Sequence, residues 1–337
     1  MRAAVFKGVG VPLVIETHPD PVPASDEVVI RVGRCGICGT DLSMTDGSGQ
    51  VYPLDSVMGH EFAGEVVATG TEVTDLKVGD RITALPYAGC GRCPTCLAGR
   101  PNFCAQFRGV AGGFGQFLAT PARVAVKLPD TLTLADGALV EPLAVSLHGV
   151  GLAQMTPGSR VLVIGAGPIG LGAVYWARRL GAGPIAITAR TRRAESLAMQ
   201  MGANVFVTPE PGQNWVPAVS AALGGLPDVV IEAVGKKDLI ARAVDCVRPS
   251  GTVVVLGFCS VPDSFIPAVA VWKEVTMRFS MTYSIAEFEH VARVLDTGDV
   301  ECRAIVTDTV PLAELPASFE SLRQRTHQCK VMVSPWE

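Results

Sequence analysis

The chain has 337 residues, 48% of them hydrophobic, which predicts two domains that each bury a core of their own. Its net charge of -4 and the lack of long lysine or arginine runs argue against a nucleic-acid-binding surface. The N-terminus lacks the features of a signal peptide, and no apolar run approaches the ~20 residues that span a bilayer. We therefore expect a soluble, cytoplasmic protein, in which clustered cysteines more often bind metal than form disulfides.

The first part of the chain, to about residue 125, is predicted to be rich in short strands. Glycine, proline and aspartate interrupt β-branched segments at residues 28–32, 64–69 and 123–128. Within this part, four cysteines follow the spacing C-x2-C-x2-C-x7-C. Four thiolates suit a tetrahedral Zn²⁺ and leave no open position for substrate, so we predict a structural zinc. Its ligands would be Cys90, Cys93, Cys96 and Cys104.

Two alternatives exist for this cysteine cluster. The first is a metal-free loop of reduced, unrelated cysteines, which the regular spacing disfavours. The second is a zinc ribbon that binds nucleic acid, which the acidic chain and the absence of basic flanks disfavour.

From about residue 147, apolar strands alternate with alanine-rich helical segments. RVLVIG, PIAIT, NVFV, DVVIEAVG and TVVVLG are predicted strands, and residues 169–182 and 192–203 are predicted helices. The strands are continuously apolar, as expected when helices cover both faces of a parallel sheet. Residues 285–298, IAEFEHVARVLDTG, predict a further helix in a tail that rejoins the first domain.

A G-x-G-x-x-G motif directly follows the first of these strands and begins a helix. That context is the one in which the motif binds a dinucleotide, because glycines let the backbone approach the pyrophosphate. The helix N-terminus adds amide donors and a favourable dipole. The predicted cofactor-binding residues here are Gly165, Gly167, Pro168, Ile169 and Gly170.

The end of the second strand predicts which nicotinamide cofactor is used. NAD-binding proteins place an acidic residue there, whereas PIAIT is followed by Ala189, Arg190, Thr191, Arg192 and Arg193. A guanidinium can bind a 2′-phosphate through two hydrogen bonds. We predict a preference for NADP(H), with Arg190 as the main contact and Arg192 and Arg193 in support. The alternative is a solvated helix N-terminus, whose dipole the arginines would oppose.

Three separated segments carry further residue types that bind zinc. They are RCGICGTD at 34–41, MGHEFAGEVV at 58–67 and LVEPLAVSLHGV at 139–150. Each is weak alone, since a single histidine is usually structural and Cys35 with Cys38 could be a redox pair. With GDRI, the cysteine cluster and VLVIGAGPIG, they occur in the order and spacing of one family.

On these motifs the chain resembles the zinc-dependent medium-chain dehydrogenase/reductase family, which includes alcohol, sorbitol and threonine dehydrogenases. The resemblance covers essentially the whole chain. It implies an α/β protein with a GroES-like β-rich catalytic domain and a Rossmann cofactor domain, whose parallel sheet is doubly wound. The implied boundaries are 1–147 for the GroES-like domain with its zinc lobe, 148–283 for the Rossmann domain and 284–337 for the return to the catalytic domain.

The resemblance also implies a catalytic zinc, and hence two zinc ions per subunit. Cys38 takes the thiolate position and His60 the imidazole position. The third protein ligand is open between Glu61 and Glu141, because Glu141 stands where some alcohol dehydrogenases have cysteine. Exchange between them is compatible with the variable coordination number of catalytic zinc. Cys35 is expected to be structural.

The position of Thr40 matches the hydroxyl that takes the alcohol proton in this family. The alternative is a turn hydroxyl bonded to nearby backbone. Where some members have a histidine further along the proton relay, this chain has Ser43, so the exit route of the proton is open.

The implied activity is hydride transfer between NADP(H) and an alcohol or carbonyl, with zinc polarising the substrate oxygen. A secondary alcohol or a polyol is the expected substrate, in a pocket between the domains. Candidate pocket walls are residues 42–57, residues 107–114, Phe258 and Tyr283. The family usually forms homodimers or homotetramers, and TVVVLG is the strand predicted to extend a sheet across subunits.

Three other functions are weighed against this one. A nucleotide-binding protein with only structural zinc would keep its cofactor and show no turnover. A zinc-independent enone or quinone reductase of the same superfamily would lack both zinc sites. A redox sensor based on Cys35 and Cys38 would lose activity reversibly on oxidation.

Overall fold

The computed structural model describes residues 1–48, 50–210, 212–298 and 301–337. The described chain divides into two compact units, one of Met1–Glu141 with Tyr283–Glu337 and one of Pro142–Thr282. The second unit is therefore an insertion within the sequence of the first. Among the described residues, no helix combines the length and the apolar character needed to cross a bilayer.

The strands lie in the following order along the chain. They are β1 (Arg2–Val5), β2 (Val14–Thr17), β3 (Glu27–Gly36), β4 (Glu61–Thr69), β5 (Arg81–Ala84), β6 (Tyr87–Ala88), β7 (Arg108–Gly109), β8 (Phe117–Pro121), β9 (Ala125–Lys127), β10 (Val161–Ile164), β11 (Ile185–Thr188), β12 (Val205–Val207), β13 (Val229–Glu232), β14 (Thr252–Val255), β15 (Thr276–Phe279), β16 (Val306–Pro311) and β17 (Lys330–Ser334).

The α-helices are interspersed with short 3₁₀ turns. They are α1 (Gly39–Asp46), α2 (Pro94–Leu97), α3 (Leu134–Leu152), α4 (Pro168–Arg179), α5 (Glu195–Gln200), α6 (Val216–Leu223), α7 (Leu239–Cys246), α8 (Pro267–Lys273), α9 (Ile285–Asp296) and α10 (Leu315–Ser321). The 3₁₀ turns are Pro101–Phe103, Ala122–Val124, Arg192–Ala194, Glu301–Ile305, Leu312–Glu314 and Leu322–Gln324.

The first unit is built on a sheet of order β16-β17-β3-β4-β5-β9, with β8 also paired to β3. All its pairs are antiparallel except β16 with β17. The longest pair is β3 with β4, whose register runs from Val28 opposite Thr69 to Gly36 opposite Glu61. The end of β3 and the start of β4 are therefore adjacent, which positions the candidate site.

The second unit contains a parallel sheet of order β12-β11-β10-β13-β14-β15. Strand order 3-2-1-4-5-6 is that of the dinucleotide-binding fold, with the ligand crevice where the order reverses, between β10 and β13. The residues of β10, β11 and β13 are all buried, as their continuous apolar sequences predict. The predicted α/β architecture is confirmed.

Two predicted strands differ in the structure. Residues 123–128 contain only the short strand β9, because Ala122–Val124 form a 3₁₀ turn in which Arg123 donates to the carbonyl of Gly89 at 2.7 Å. TVVVLG contains β14, which lies between β13 and β15 and is not an edge strand. The strand at the edge is β15, whose residues are exposed or half-buried. A strand such as β14, in which three consecutive valines are buried, is suited to the interior of a sheet.

Candidate active site

A group of potential metal ligands lies where β3 ends and β4 begins. Because Gly36 pairs with Glu61, Cys38 just after β3 and His60 just before β4 are close together. The ligand atoms of Cys38, His60 and Glu61 lie within 4.8 Å of one another. A thiolate, an imidazole and a carboxylate are ligands that Zn²⁺ takes in catalytic sites, so this donor set fits the ion.

Two glycines make room for this group. A β-carbon at Gly36 would lie 2.0 Å from Oε2 of Glu61, so any other residue there would displace the carboxylate. Gly59 has a φ of +91°, and its β-carbon would lie 2.6 Å from the ring of Phe114. Gly36 and Gly59 are therefore needed for the local geometry as well as for the motif pattern.

Asp41 orients two of the candidate ligands. Its Oδ1 lies 3.2 Å from Nδ1 of His60, and its Oδ2 accepts a hydrogen bond from the backbone N–H of Cys38 at 2.9 Å. Burial alone would lower the pKa of His60, but Asp41 and Cys38 raise it well above its usual value. A carboxylate on one ring nitrogen leaves the other for a metal. The sequence prediction missed Asp41, although it belongs to GICGTD.

Glu61 forms a buried ion pair with Lys330 of β17. The Nζ of Lys330 lies 2.6 Å and 2.5 Å from the two carboxylate oxygens, and it also donates to the carbonyl of Ile37 at 3.0 Å. Burial lowers the pKa of Lys330, but the charge of Glu61 outweighs this and leaves it raised. Lys330 is 269 positions from Glu61 in the sequence, so no local pattern could have predicted this pair.

Glu141 lies beside this group and is 7% exposed. Its Oε1 accepts a hydrogen bond from the hydroxyl of Tyr283 at 2.9 Å. Burial raises the pKa of Glu141 to about 7, with opposing influences from His60, which lowers it, and Glu61, which raises it. The carboxylate that lies within 4.8 Å of the ligand atoms of Cys38 and His60 is that of Glu61 and not that of Glu141. Both oxygens of Glu61, however, already accept hydrogen bonds from Lys330.

The two predicted relay hydroxyls lie on α1. Thr40 is exposed in the first turn of this helix, two residues after Cys38. Ser43 donates its hydroxyl hydrogen to the carbonyl of Thr40 at 2.9 Å. Cys35 is fully buried and its thiol faces the carbonyl of Gly36 at 3.6 Å, which agrees with a structural role.

The four cysteines of the lobe form the second group of potential metal ligands. Their sulfur atoms all lie within 4.8 Å of one another, and those of Cys93 and Cys104 are 3.7 Å apart. Two sulfurs on a tetrahedral zinc are separated by about 3.8 Å, given a Zn–S length of about 2.3 Å. A β-carbon at Gly89 would lie 2.5 Å from the sulfur of Cys96. The lobe therefore fits a closed zinc site.

Hydrogen bonds to the sulfurs also suit bound thiolates. The backbone N–H groups of Cys90 and Gln106 each donate to the sulfur of Cys104 at 3.3 Å. The hydroxyl of Thr95 lies 3.1 Å from the sulfur of Cys93 and contributes most to lowering its pKa to about 6.

In the second unit, the glycine motif forms the turn between β10 and α4. Gly165 has a φ of +105°, and a β-carbon at Gly170 would lie 1.8 Å from the carbonyl oxygen of Gly165. Gly167 is the N-cap residue of α4 and Pro168 occupies its first turn. The free amides of this helix start are at the carboxyl end of β10, where dinucleotide phosphates bind.

The arginine-rich segment directly follows β11. Ala189 is half-buried, and Arg190, Arg192 and Arg193 are exposed. The Nε of Arg192 donates to Glu195 at 2.6 Å. This ion pair is solvent-exposed and therefore contributes little to stability, so a phosphate could replace Glu195 as the partner of Arg192.

The residues predicted to line the substrate pocket differ in their exposure to solvent. Phe114 and Tyr283 are buried, at 0% and 1% exposure, so in this structure neither presents a surface to substrate. Phe107 and Phe258 are 50% and 69% exposed. Of residues 42–57, Gly49 lies outside the described residues.

Comparison with known proteins identifies the family. The family described as "Alcohol dehydrogenase GroES-like domain" matches residues 24–130, and "Zinc-binding dehydrogenase" matches residues 168–297. The chain belongs to the zinc-dependent medium-chain dehydrogenase/reductase family, as its motifs predicted, and its relatives are oxidoreductases that act on small alcohols and polyols.

Several relatives span nearly the whole chain. L-galactonate-5-dehydrogenase of Escherichia coli K12 is 33% identical over 91% of this chain and 91% of its own length. Sorbitol dehydrogenase of Bacillus subtilis is 32% identical over 99% of this chain and 97% of its own length. A zinc-binding dehydrogenase from Sinorhizobium meliloti 1021, solved with NADP bound, has a TM-score of 0.90 at 32% identity and covers 99% of both chains.

Proposed function

We propose that this protein is an NADP-preferring dehydrogenase that uses a catalytic zinc to interconvert a secondary alcohol or polyol and the corresponding carbonyl compound. The observation that carries the proposal is the Cys38–His60–Glu61 group, whose atoms are close enough to hold one ion. Cys38 and His60 would bind the zinc together with a carboxylate from Glu61 or Glu141. The four cysteines of the lobe would hold the second, structural zinc.

When bound, zinc supplies Lewis acidity toward the substrate oxygen. The glycine motif Gly165–Gly170 would hold the nicotinamide cofactor, which would supply the hydride acceptor for oxidation of the alcohol. Thr40, which is exposed to solvent, would take the hydroxyl proton of the alcohol. Asp41 holds the imidazole of His60 and the backbone N–H of Cys38, and so keeps both ligands in place. The protein residues thus orient the ligands and carry the proton away.

Two observations support the cofactor and substrate classes. The segment after β11 has three arginines and no carboxylate before Glu195, and the Sinorhizobium relative was solved with NADP. A 2′-phosphate is the group that such a segment would bind. The names of the relatives, among them sorbitol dehydrogenase and L-galactonate-5-dehydrogenase, favour a polyhydroxylated substrate.

The proposal is tested on the purified full-length chain by zinc analysis and a turnover assay. We expect two zinc ions per subunit and NADP⁺-dependent oxidation of at least one compound in a panel of polyols and secondary alcohols. One zinc, with NADPH binding but no turnover across the panel in either direction, would contradict it. That result would instead support the non-catalytic nucleotide-binding protein.

We further propose a homo-oligomer that associates through the edge of the parallel sheet. In the described part of the chain, β15 pairs only with β14, so its outer edge has open hydrogen-bonding groups. Phe279 on β15 is 67% exposed and Met281, two residues later, is 53% exposed, while Trp272 of α8, just before β15 in the chain, is 88% exposed. An open strand edge beside a large apolar patch is a feature that proteins normally cover with a partner.

Replacement of Phe279 by lysine is expected to dissociate this oligomer. A buried aromatic anchor contributes about 2 kcal/mol, and a twofold interface contains it twice, so the dissociation constant should rise about 10³-fold. Light scattering after size-exclusion chromatography would measure the mass. Val78→Lys is the control, because Val78 is 62% exposed in a loop of the first unit. A monomeric wild type, or a Phe279→Lys variant of unchanged mass, would contradict the proposal.

A further inference from the structure

A buried tyrosine bonds the candidate ligand Glu141. Tyr283 is 1% exposed, and its hydroxyl donates to Oε1 of Glu141 at 2.9 Å. Glu141 is itself buried. A carboxylate removed from water needs hydrogen-bond partners, and a single phenol in a fixed position also determines the direction in which the carboxylate points.

The place of Tyr283 is set by contacts that do not involve its hydroxyl. The hydroxyl of Tyr87 donates to the backbone carbonyl of Tyr283 at 2.6 Å. The ring of Tyr283 stacks on Phe288 with centroids 5.4 Å apart and lies against the ring of Tyr87 at 5.8 Å. A phenylalanine at position 283 would keep all of these contacts and lose only the bond to Glu141.

The two candidate carboxylates are held in different ways. Glu61 has a cation, Lys330, bonded to both of its oxygens, so its charge is already compensated. Glu141 is bonded by the neutral phenol of Tyr283. A buried carboxylate with a neutral partner still favours a cation nearby, and the zinc would provide one.

We propose that Tyr283 is a positioning residue, which holds Oε1 of Glu141 and leaves Oε2 to bind the metal ion beside Cys38 and His60. The inference rests on the proposed function, because it assumes the catalytic zinc. Ligands of protein-bound metals are commonly fixed by hydrogen bonds from residues that do not touch the ion. Tyr283 would thus orient Glu141 by a hydrogen bond, as Asp41 orients His60.

The variant Tyr283→Phe tests this role through metal binding. We expect the affinity of the catalytic site for Zn²⁺, measured by competition with a chelator, to fall about 10- to 100-fold. With Co²⁺ in the catalytic site, the visible absorption bands should shift, because the ligand geometry changes. The melting temperature of the metal-free protein should fall no more than that of Tyr87→Phe, since each variant removes one buried hydroxyl and keeps the ring contacts. An unchanged affinity and an unchanged cobalt spectrum would overturn the inference.

The matched control is Tyr87→Phe, which removes a buried hydroxyl from the same aromatic cluster but keeps the stacking of Tyr283 on Phe288 and the bond of Tyr283 to Glu141. Tyr87→Phe should lower the melting temperature and leave the zinc affinity within about twofold of the wild type. A loss of zinc affinity as large as that of Tyr283→Phe would mean that any disturbance of the aromatic cluster weakens the site, and would overturn the inference.

In a Glu141→Ala background, Tyr283→Phe should have no further effect on the zinc affinity. If the wild type itself binds one zinc and shows no turnover, the proposed function fails. If it binds two and turns over while Tyr283→Phe behaves as wild type, only the role of Tyr283 fails.

Discussion

Replacement of Cys38 by alanine is expected to remove turnover while NADPH still binds. The thiolate is one of the three groups that can hold an ion where β3 meets β4, and its loss leaves His60 and a carboxylate. Lewis-acid polarisation of the substrate oxygen is worth several kcal/mol, so kcat/KM should fall about 10³-fold or more. The glycine motif lies in the other unit, so the NADPH dissociation constant should stay within about twofold.

Zinc analysis separates this result from simple unfolding. Cys38→Ala should retain one zinc per subunit, in the cysteine lobe, and its melting curve should stay cooperative. Cys259→Ala is the matched control, because Cys259 is a half-buried thiol of the second unit that belongs to neither group of potential ligands. A Cys38→Ala variant with two zinc ions and normal turnover would rule out this thiolate as a catalytic ligand.

The double variant Ala189→Asp with Arg190→Leu is expected to reverse the cofactor preference. Loss of a charged hydrogen bond to the 2′-phosphate is worth about 1.5–3 kcal/mol, so NADPH should bind about 10- to 100-fold more weakly. The new carboxylate repels that phosphate and can accept from the ribose 2′-hydroxyl of NADH. Fluorescence titration of both reduced cofactors would measure the change.

Arg2→Leu serves as the charge control, because it removes one positive charge on β1 of the other unit. It should leave the ratio of the two dissociation constants unchanged. If the wild type binds NADH as tightly as NADPH, the three arginines are a solvated helix start, and the predicted preference is wrong.

The parallel strands of the second unit and the helix α9 of the first unit were predictable because each follows from a local pattern. Continuous apolar runs such as β10 predict strands covered on both faces, and the amphipathic segment of α9 predicts a helix. The helix α1 was missed, since it has eight residues and almost no separation of apolar and polar faces. Its start depends on Asp41, which accepts from the N–H of Cys38.

The candidate site was predictable only where its residues belong to compact motifs. Cys38, His60 and the lobe cysteines carry recognisable spacings, and the structure brings each set together. Lys330 and Tyr283 carry none, because they reach Glu61 and Glu141 from 269 and 142 positions away. Such contacts depend on how the sheet and the returning chain fold together, which no sequence window contains.

The bond between Glu141 and Tyr283 also has a topological meaning. These residues are the last of the first unit before the insertion and the first after it. The inserted segment, the 141 residues Pro142–Thr282, therefore begins and ends beside one buried hydrogen bond of the first unit. The boundary at residue 141 lies within α3, Leu134–Leu152, so the inserted segment begins on a helix and not on an exposed flexible linker of the kind that tolerates insertion. A chain in which a short flexible linker joins residue 141 to residue 283 would keep only Leu134–Glu141 of this helix, so we expect a lower melting temperature than that of the full chain, with zinc still bound in the cysteine lobe.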